Sequence, residues 1–125
     1  NMATVINTED YRYAMNVIHA TLTFSSGSQS VTTPRKYMGF VVQCFIDHGD
    51  TTPTNLWDLE ILDAYGMDVL NGQGANLAVA TDKKVITQID LDNGMACSGA
   101  LTFSGTNGGS SNGEADIYLY IARYR

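Results

Sequence analysis

The sequence is poor in charge, proline and cysteine. Charged residues make up 16% of its 125 residues, and it contains two prolines and two cysteines. That share of charge lies below the quarter or so that is usual for a soluble chain. Twelve glycines, with many threonines and tyrosines, favour β-strands joined by tight turns over a helical bundle.

Positive charge is scarce as well, and the net charge is -6. An acidic domain repels phosphate backbones, so we expect no nucleic-acid partner. The basic residues form no patch larger than Arg35–Lys36, Lys83–Lys84 and the terminal Arg123 and Arg125. No apolar run approaches the ~20 residues that span a bilayer, so we expect no membrane partner either.

The N-terminal residues contain no basic region followed by an apolar stretch, and we therefore expect no signal peptide and synthesis in a cytoplasm. Because Asn1 precedes Met2, we expect Met2 to be the natural start and Asn1 a cloning remnant. The length fits one domain over residues 1–125 with a core of its own.

Hydrophobic periodicity predicts an all-β fold. Residues 18–24 alternate apolar and polar side chains, whereas residues 37–46 are apolar on both faces, as in a central strand. Residues 8–16 favour a strand, with a short helical turn as the alternative. Turn-forming clusters separate about eight strands, which predicts an antiparallel β-sandwich that is jelly-roll-like. The remaining predicted strands are residues 56–62, 67–70, 77–80, 85–91, 100–103 and 115–124.

No set of residues predicts catalysis or a cofactor. His48 lies in a polar turn that lacks enough further ligands for a metal. Cys44 and Cys97 have no companion ligands at metal-site spacing, and the sequence assigns no histidine as a base to either, so we predict two buried thiols, with a disulfide as the alternative. Residues 90–94 resemble the opening of a calcium loop but lack its later glutamate. We therefore predict a protein that is not an enzyme and needs no cofactor or metal.

Aromatic residues are the candidates for an interface. Tyr118, Tyr120 and Tyr124 fall on one face of the last strand, opposite an apolar face. They form either a second buried layer or an exposed patch for a partner protein or a sugar ring. Trp57 is a further candidate, since jelly rolls with exposed Tyr and Trp often present rings to sugars. A second copy of the chain would cover such a patch in a symmetric trimer or dimer.

Residues 52–70, continued by residues 72–76, resemble a family of small structural proteins of tailed bacteriophages. The C-terminal pattern of Leu-Thr-Phe, a Gly/Asn/Ser loop and Ile-Tyr-Leu-Tyr fits the same family, so that the resemblance covers roughly half of the chain. Leu77 stands where these proteins commonly have arginine. The motif is structural and carries no catalytic residue over.

The resemblance implies a virion component made in the host cytoplasm, and the chain is similar in size to capsid decoration (cement) proteins with jelly-roll folds. Such a protein would lie on the capsid surface and bind the major capsid protein. A neck or tail component, and a carbohydrate-binding jelly-roll module, are the alternatives.

Overall fold

The structure, a computed structural model, describes residues 3–11, 14–80, 83–86 and 94–123, and these residues contain nine β-strands. None of the residues described there belongs to a helix that is long and apolar enough to cross a bilayer. The strands are β1 (Val5–Asp10), β2 (Met15–Phe24), β3 (Gln29–Thr32), β4 (Tyr37–His48), β5 (Asp58–Leu62), β6 (Lys83–Ile86), β7 (Met95–Gly99), β8 (Thr102–Thr106) and β9 (Gly113–Ala122).

The strands form two antiparallel sheets. The larger has the order β1-β2-β9-β4-β6, with β7 also paired to β4, and the smaller has the order β3-β8-β5. Pairing is nested along the chain, because β2 pairs with β9, β3 with β8 and β4 with β7. From β2 onward the chain changes sheet at every connection except the one between β6 and β7. This nested wrapping is a jelly roll, so the predicted all-β sandwich is confirmed.

One core lies between the two sheets. On β9 the side chains of Ile117, Leu119 and Ile121 are fully buried, and those of the intervening residues face outward. The smaller sheet contributes Leu59, Ile61 and Phe103 to the same cluster. The burial of this apolar layer is the main term that holds the sheets together, at about 25 cal/mol for each Å² removed from water.

Several strand boundaries differ from the prediction. Residues 8–16 are not one strand, since β1 ends at Asp10, β2 begins at Met15, and the two pair with each other. The strands β3 and β7 were missed, because they are short and rich in serine, glycine or other residues without a clear alternation. Of the predicted strand 85–91, and of the calcium-like residues 90–94, only residues 85, 86 and 94 are among those described.

The segment after β5 is organised by carboxylates more than by strand pairing. The Asp68 carboxylate accepts hydrogen bonds from three backbone N–H groups, those of Ile61, Leu70 and Gly72. The Asp63 carboxylate accepts three more, from the N–H groups of Tyr65, Met67 and Ser98. The strands predicted at 67–70 and 77–80 are accordingly reduced to single bridges, Leu62–Asp68 and Trp57–Leu77.

Replacing Asp68 with alanine is expected to lower the free energy of unfolding by about 2–3 kcal/mol, because three backbone donors lose a charged acceptor. Urea denaturation followed by tryptophan fluorescence measures the loss. The control is Asp50→Ala, which removes the same charge at an exposed position. Equal stability of the two variants would contradict the structural role of Asp68.

Candidate interface

The outer surface of the larger sheet carries a row of aromatic side chains, which we call the tyrosine face: His19 on β2, Tyr118 and Tyr120 on β9, and Phe45 on β4. Tyr118 is the register partner of both His19 and Phe45, so the pairing of β9 brings the three rings together. The His19 and Tyr118 rings stack with centroids 4.2 Å apart and an interplanar angle of 11°. The Phe45 ring lies 5.8 Å from that of Tyr118, at 49°.

The carboxylate of Asp116 fixes the position of the His19 imidazole in this row. The His19 Nε2 atom lies 2.9 Å from Asp116 Oδ1, and the hydroxyl of Thr21 donates to the same oxygen at 2.7 Å. The amide of Asn7 in turn donates to the Thr21 hydroxyl at 2.6 Å. These bonds join β1, β2 and β9 across the face and fix the position of its rings before any partner arrives.

The tyrosines are neither a second core layer nor fully exposed. Tyr118 and Tyr120 are half-buried and lie outside the core, and the Tyr118 ring packs sideways on His19 and Phe45 of the same sheet surface. Burial raises the pKa of the Tyr118 hydroxyl, and the carboxylates of Asp116 and Asp47 and the hydroxyl of Tyr120 raise it further. Tyr118 therefore offers a neutral phenol to a partner.

Trp57 is a core residue and not a surface contact. Its side chain is fully buried, and its ring meets the Phe24 ring edge-on at 5.5 Å. The indole N–H donates to His48 Nε2 at 3.0 Å, so its one polar group is satisfied inside the domain. This corrects the interface assignment of Trp57 made from sequence. Tyr124 lies outside the described residues.

The most exposed large apolar side chains were missed from sequence, and two of them, Met15 and Met38, lie on the outer surface of the larger sheet. Among the described residues they are Tyr65, Met38, Met67, Leu56, Tyr11 and Met15, exposed by 42 to 80%. A signal was present for two of them, because Tyr65 and Met67 flank Gly66 in a turn, where side chains have no neighbouring strand to cover them.

The two cysteines are free and buried, as predicted. Burial raises the pKa of the Cys97 thiol to about 11, helped by the Asp63 carboxylate and opposed by a hydrogen bond from the Gly39 backbone. Burial also raises the pKa of Cys44, and Asp68 adds to the effect. Both thiols are therefore protonated at neutral pH and are poor nucleophiles and metal ligands. The described part of the chain holds no group of three His, Cys, Asp or Glu side chains arranged for a metal ion.

The fold and the tyrosine face define a jelly-roll sandwich with a preorganised aromatic surface, and comparison with known proteins bears on the fold. The chain is similar to a chain of the "Cyanophage Pam1 capsid asymmetric unit", with a TM-score of 0.51 and 14% sequence identity. The match covers 85% of this chain and 82% of the other. At this identity the likeness is one of fold. No family model and no curated protein matches the chain.

The raised thiol pKa predicts a loss of stability at alkaline pH. An unfolded cysteine ionises near pH 8.5, whereas folded Cys97 keeps its proton until about pH 11. Between these values the unfolded state has released a proton that the folded state retains, so the free energy of unfolding falls as pH rises. Urea denaturation at pH 8 and pH 10 measures the fall, and Cys97→Ala should lessen it. An unchanged slope in that variant would contradict the prediction.

Proposed function

We propose that the protein is a non-enzymatic structural component of a bacteriophage virion, and that it is a capsid decoration (cement) protein. In this role it binds the major capsid protein at the junctions between capsomers and stabilises the head. The single observation that carries the proposal is the jelly-roll likeness to a chain of a cyanophage capsid, which extends over most of both chains.

The chemistry of the described residues supports a binding role over a catalytic one. The two thiols are buried and protonated, and the buried imidazole of His48 accepts a hydrogen bond from Trp57. The imidazole of His19 is hydrogen-bonded to the Asp116 carboxylate and stacked on the Tyr118 ring. These histidines act as packing and hydrogen-bonding groups, which suits a protein whose task is to present a rigid surface.

The resemblance of residues 52–76 to phage structural proteins adds a second line of support. Its aspartates organise the segment after β5 through backbone hydrogen bonds, so the motif specifies a fold and not a reaction. A carbohydrate-binding role loses one of its supports, because the indole of Trp57 is buried and offers no platform to a sugar ring.

Cryo-electron microscopy of the virion of the phage that encodes the chain tests the proposal. The expected result is density for the jelly roll on the outer shell at capsomer junctions. Heads that lack the protein should release their DNA at a lower temperature than heads to which it has been added back. Density confined to the neck or tail would contradict the cement role and would assign the protein to that part of the virion.

We also propose that the protein is a homo-oligomer, a trimer or a dimer, assembled through the tyrosine face. A half-buried row of aromatic rings on a sheet surface is the kind of patch that a second copy can cover. Light scattering at micromolar concentration should give a multiple of 13.5 kDa.

Tyr120→Glu places a charge on the tyrosine face and should shift the measured mass towards that of the monomer. Ser110→Glu is the matched control, since it adds the same charge at an exposed loop position outside the face. A wild-type mass of 13.5 kDa, or a Tyr120→Glu protein that assembles like the control, would contradict self-association through this face.

A further inference from the structure

An open cleft of about 720 Å³ lies where β4 begins and β9 ends. We call it the cationic cleft, and the residues of its lining that matter here are Tyr11, Arg35, Lys36, Tyr37, Met38 and Arg123. It is formed because β9 runs antiparallel beside β4, with Ala122 as the register partner of Phe40. That pairing brings Arg123 to the segment that carries Arg35 and Lys36.

The charge of the cleft is opposite to that of the whole chain. Three of the seven basic residues line it, and its lining includes no aspartate or glutamate among the described residues, although the net charge of the chain is -6. In the sequence, Arg123 follows Arg35 and Lys36 by almost ninety positions, and nothing in the sequence indicates that they lie together. The fold gathers them into one site. The hydroxyl of the lining residue Tyr37 donates to Glu9 Oε2 at 2.6 Å, so a carboxylate of the chain lies against the cleft, while the three cations give the lining itself a positive charge that attracts carboxylates.

A cation–π contact and two hydrogen bonds fix the position of Arg35 in the cleft. The guanidinium carbon of Arg35 lies 3.5 Å from the centre of the Tyr11 ring, a cation–π contact that orients the side chain. The hydroxyl of buried Thr33 donates to the Arg35 carbonyl at 2.7 Å and accepts from the Leu101 N–H at 3.0 Å. This ties the loop before β4 to the core, so that Arg35 is presented with little freedom left to lose on binding.

Exposed apolar side chains surround the charges. Met38 is 75% exposed at the rim, and Tyr11 is exposed as well. The turn that carries Tyr65 and Met67 lies across β7 from Met38, because the Ala64 N–H donates to the carbonyl of Ser98, which is the register partner of Met38. Methionine, tyrosine and arginine are the residues that protein interfaces concentrate.

We propose that the cationic cleft is the docking site for an acidic segment of a partner protein. Carboxylates of that segment pair with Arg35 and Lys36, and an apolar side chain beside them packs on Met38 and Tyr65. The inference rests on the proposed function for the identity of the partner, a virion protein. The chemistry of the segment follows from the cleft itself.

A synthetic peptide is the first probe, about twelve residues long, with glutamates on both sides of one leucine and one phenylalanine. Titration into the ¹⁵N-labelled protein, followed by NMR, should give saturable shifts confined to residues 35–38, 65–67 and 11. A peptide with lysine in place of each glutamate should give none. Absence of saturable binding by the acidic peptide, or shifts centred on His19 and Tyr118, would overturn the inference.

Variants test which side chains bind the peptide. Arg35→Glu with Lys36→Glu should weaken it about tenfold or more, because attraction becomes repulsion. Lys83→Glu with Lys84→Glu makes the same change of net charge on β6, beside Ile46 and Asp47 at the far end of β4, and should leave the affinity within about twofold. Met38→Ser, a neutral change at the rim, should also weaken binding. Thermal melting verifies that each variant is folded, and equal affinity in all of them would overturn the inference.

Binding to purified heads of the encoding phage separates this inference from the proposed function. If the wild-type protein binds the acidic peptide in the cleft but does not bind heads, the proposed function fails and the docking chemistry stands. If heads bind the wild type and the Lys83/Lys84 variant but not the Arg35/Lys36 variant, both are supported. Head binding that survives the Arg35/Lys36 change would overturn the cleft as the docking site and leave the cement role in place.

Discussion

The larger sheet depends on the insertion of its last strand between two strands that come much earlier in the chain. β9 pairs with β2 along its whole length, from Gly113 to Ala122, and pairs on its other side with β4. Without β9, the long strands β2 and β4 would each present an unpaired edge, which is a hazard for aggregation. The side chains of β9 alternate between the core and the outer surface, where they include Tyr118 and Tyr120. The pairing of β9 therefore positions both the core layer and the tyrosine face.

The same strand determines where charge lies on the molecule. Glu114 stands at the beginning of β9 and Arg123 directly after its end, and the strand spans the length of the sheet. Because β4 runs in the opposite direction beside it, Arg123 meets the cationic loop before β4, while Glu114 lies near the polar end of β4. Three of the seven basic residues are thereby brought into one cleft at this end of the sheet, in a chain with a net charge of -6.

Much of this fold was predictable from sequence, because long strands with one buried face must alternate. The doubly apolar pattern of β4 predicted a central strand, and the alternation of β9 predicted which of its side chains face the core. The segment after β5 was not predictable in the same way. Its conformation depends on carboxylates that accept backbone hydrogen bonds from distant positions, such as Asp58 with the N–H of Asn76. Hydrophobic periodicity carries no information about such bonds.

Gly74 illustrates the same limit. Its backbone carbonyl accepts from the Leu59 N–H, and a Cβ at this position would overlap the Leu59 carbonyl. From sequence the glycine is one of several in a polar loop, and only the packing of that loop against β5 explains why no larger residue fits. This close approach belongs to the segment that resembles phage structural proteins, which accounts for a motif made of turn residues instead of reactive ones.

The two candidate surfaces, the tyrosine face and the cationic cleft, differ in how much apolar area they leave exposed. Sequence alone left open whether Tyr118 is buried or exposed. In the structure its half-buried ring is stacked on His19 and has already given up much of its exposed area, so a partner gains less by covering it. Met38 retains most of its exposed area, in the lining that it shares with cations that the fold brings together. The tyrosine face therefore suits a broad, shape-matched contact such as one between copies. The cationic cleft suits an anchored, charge-selective contact with a different chain, and the proposed cement role would use both kinds.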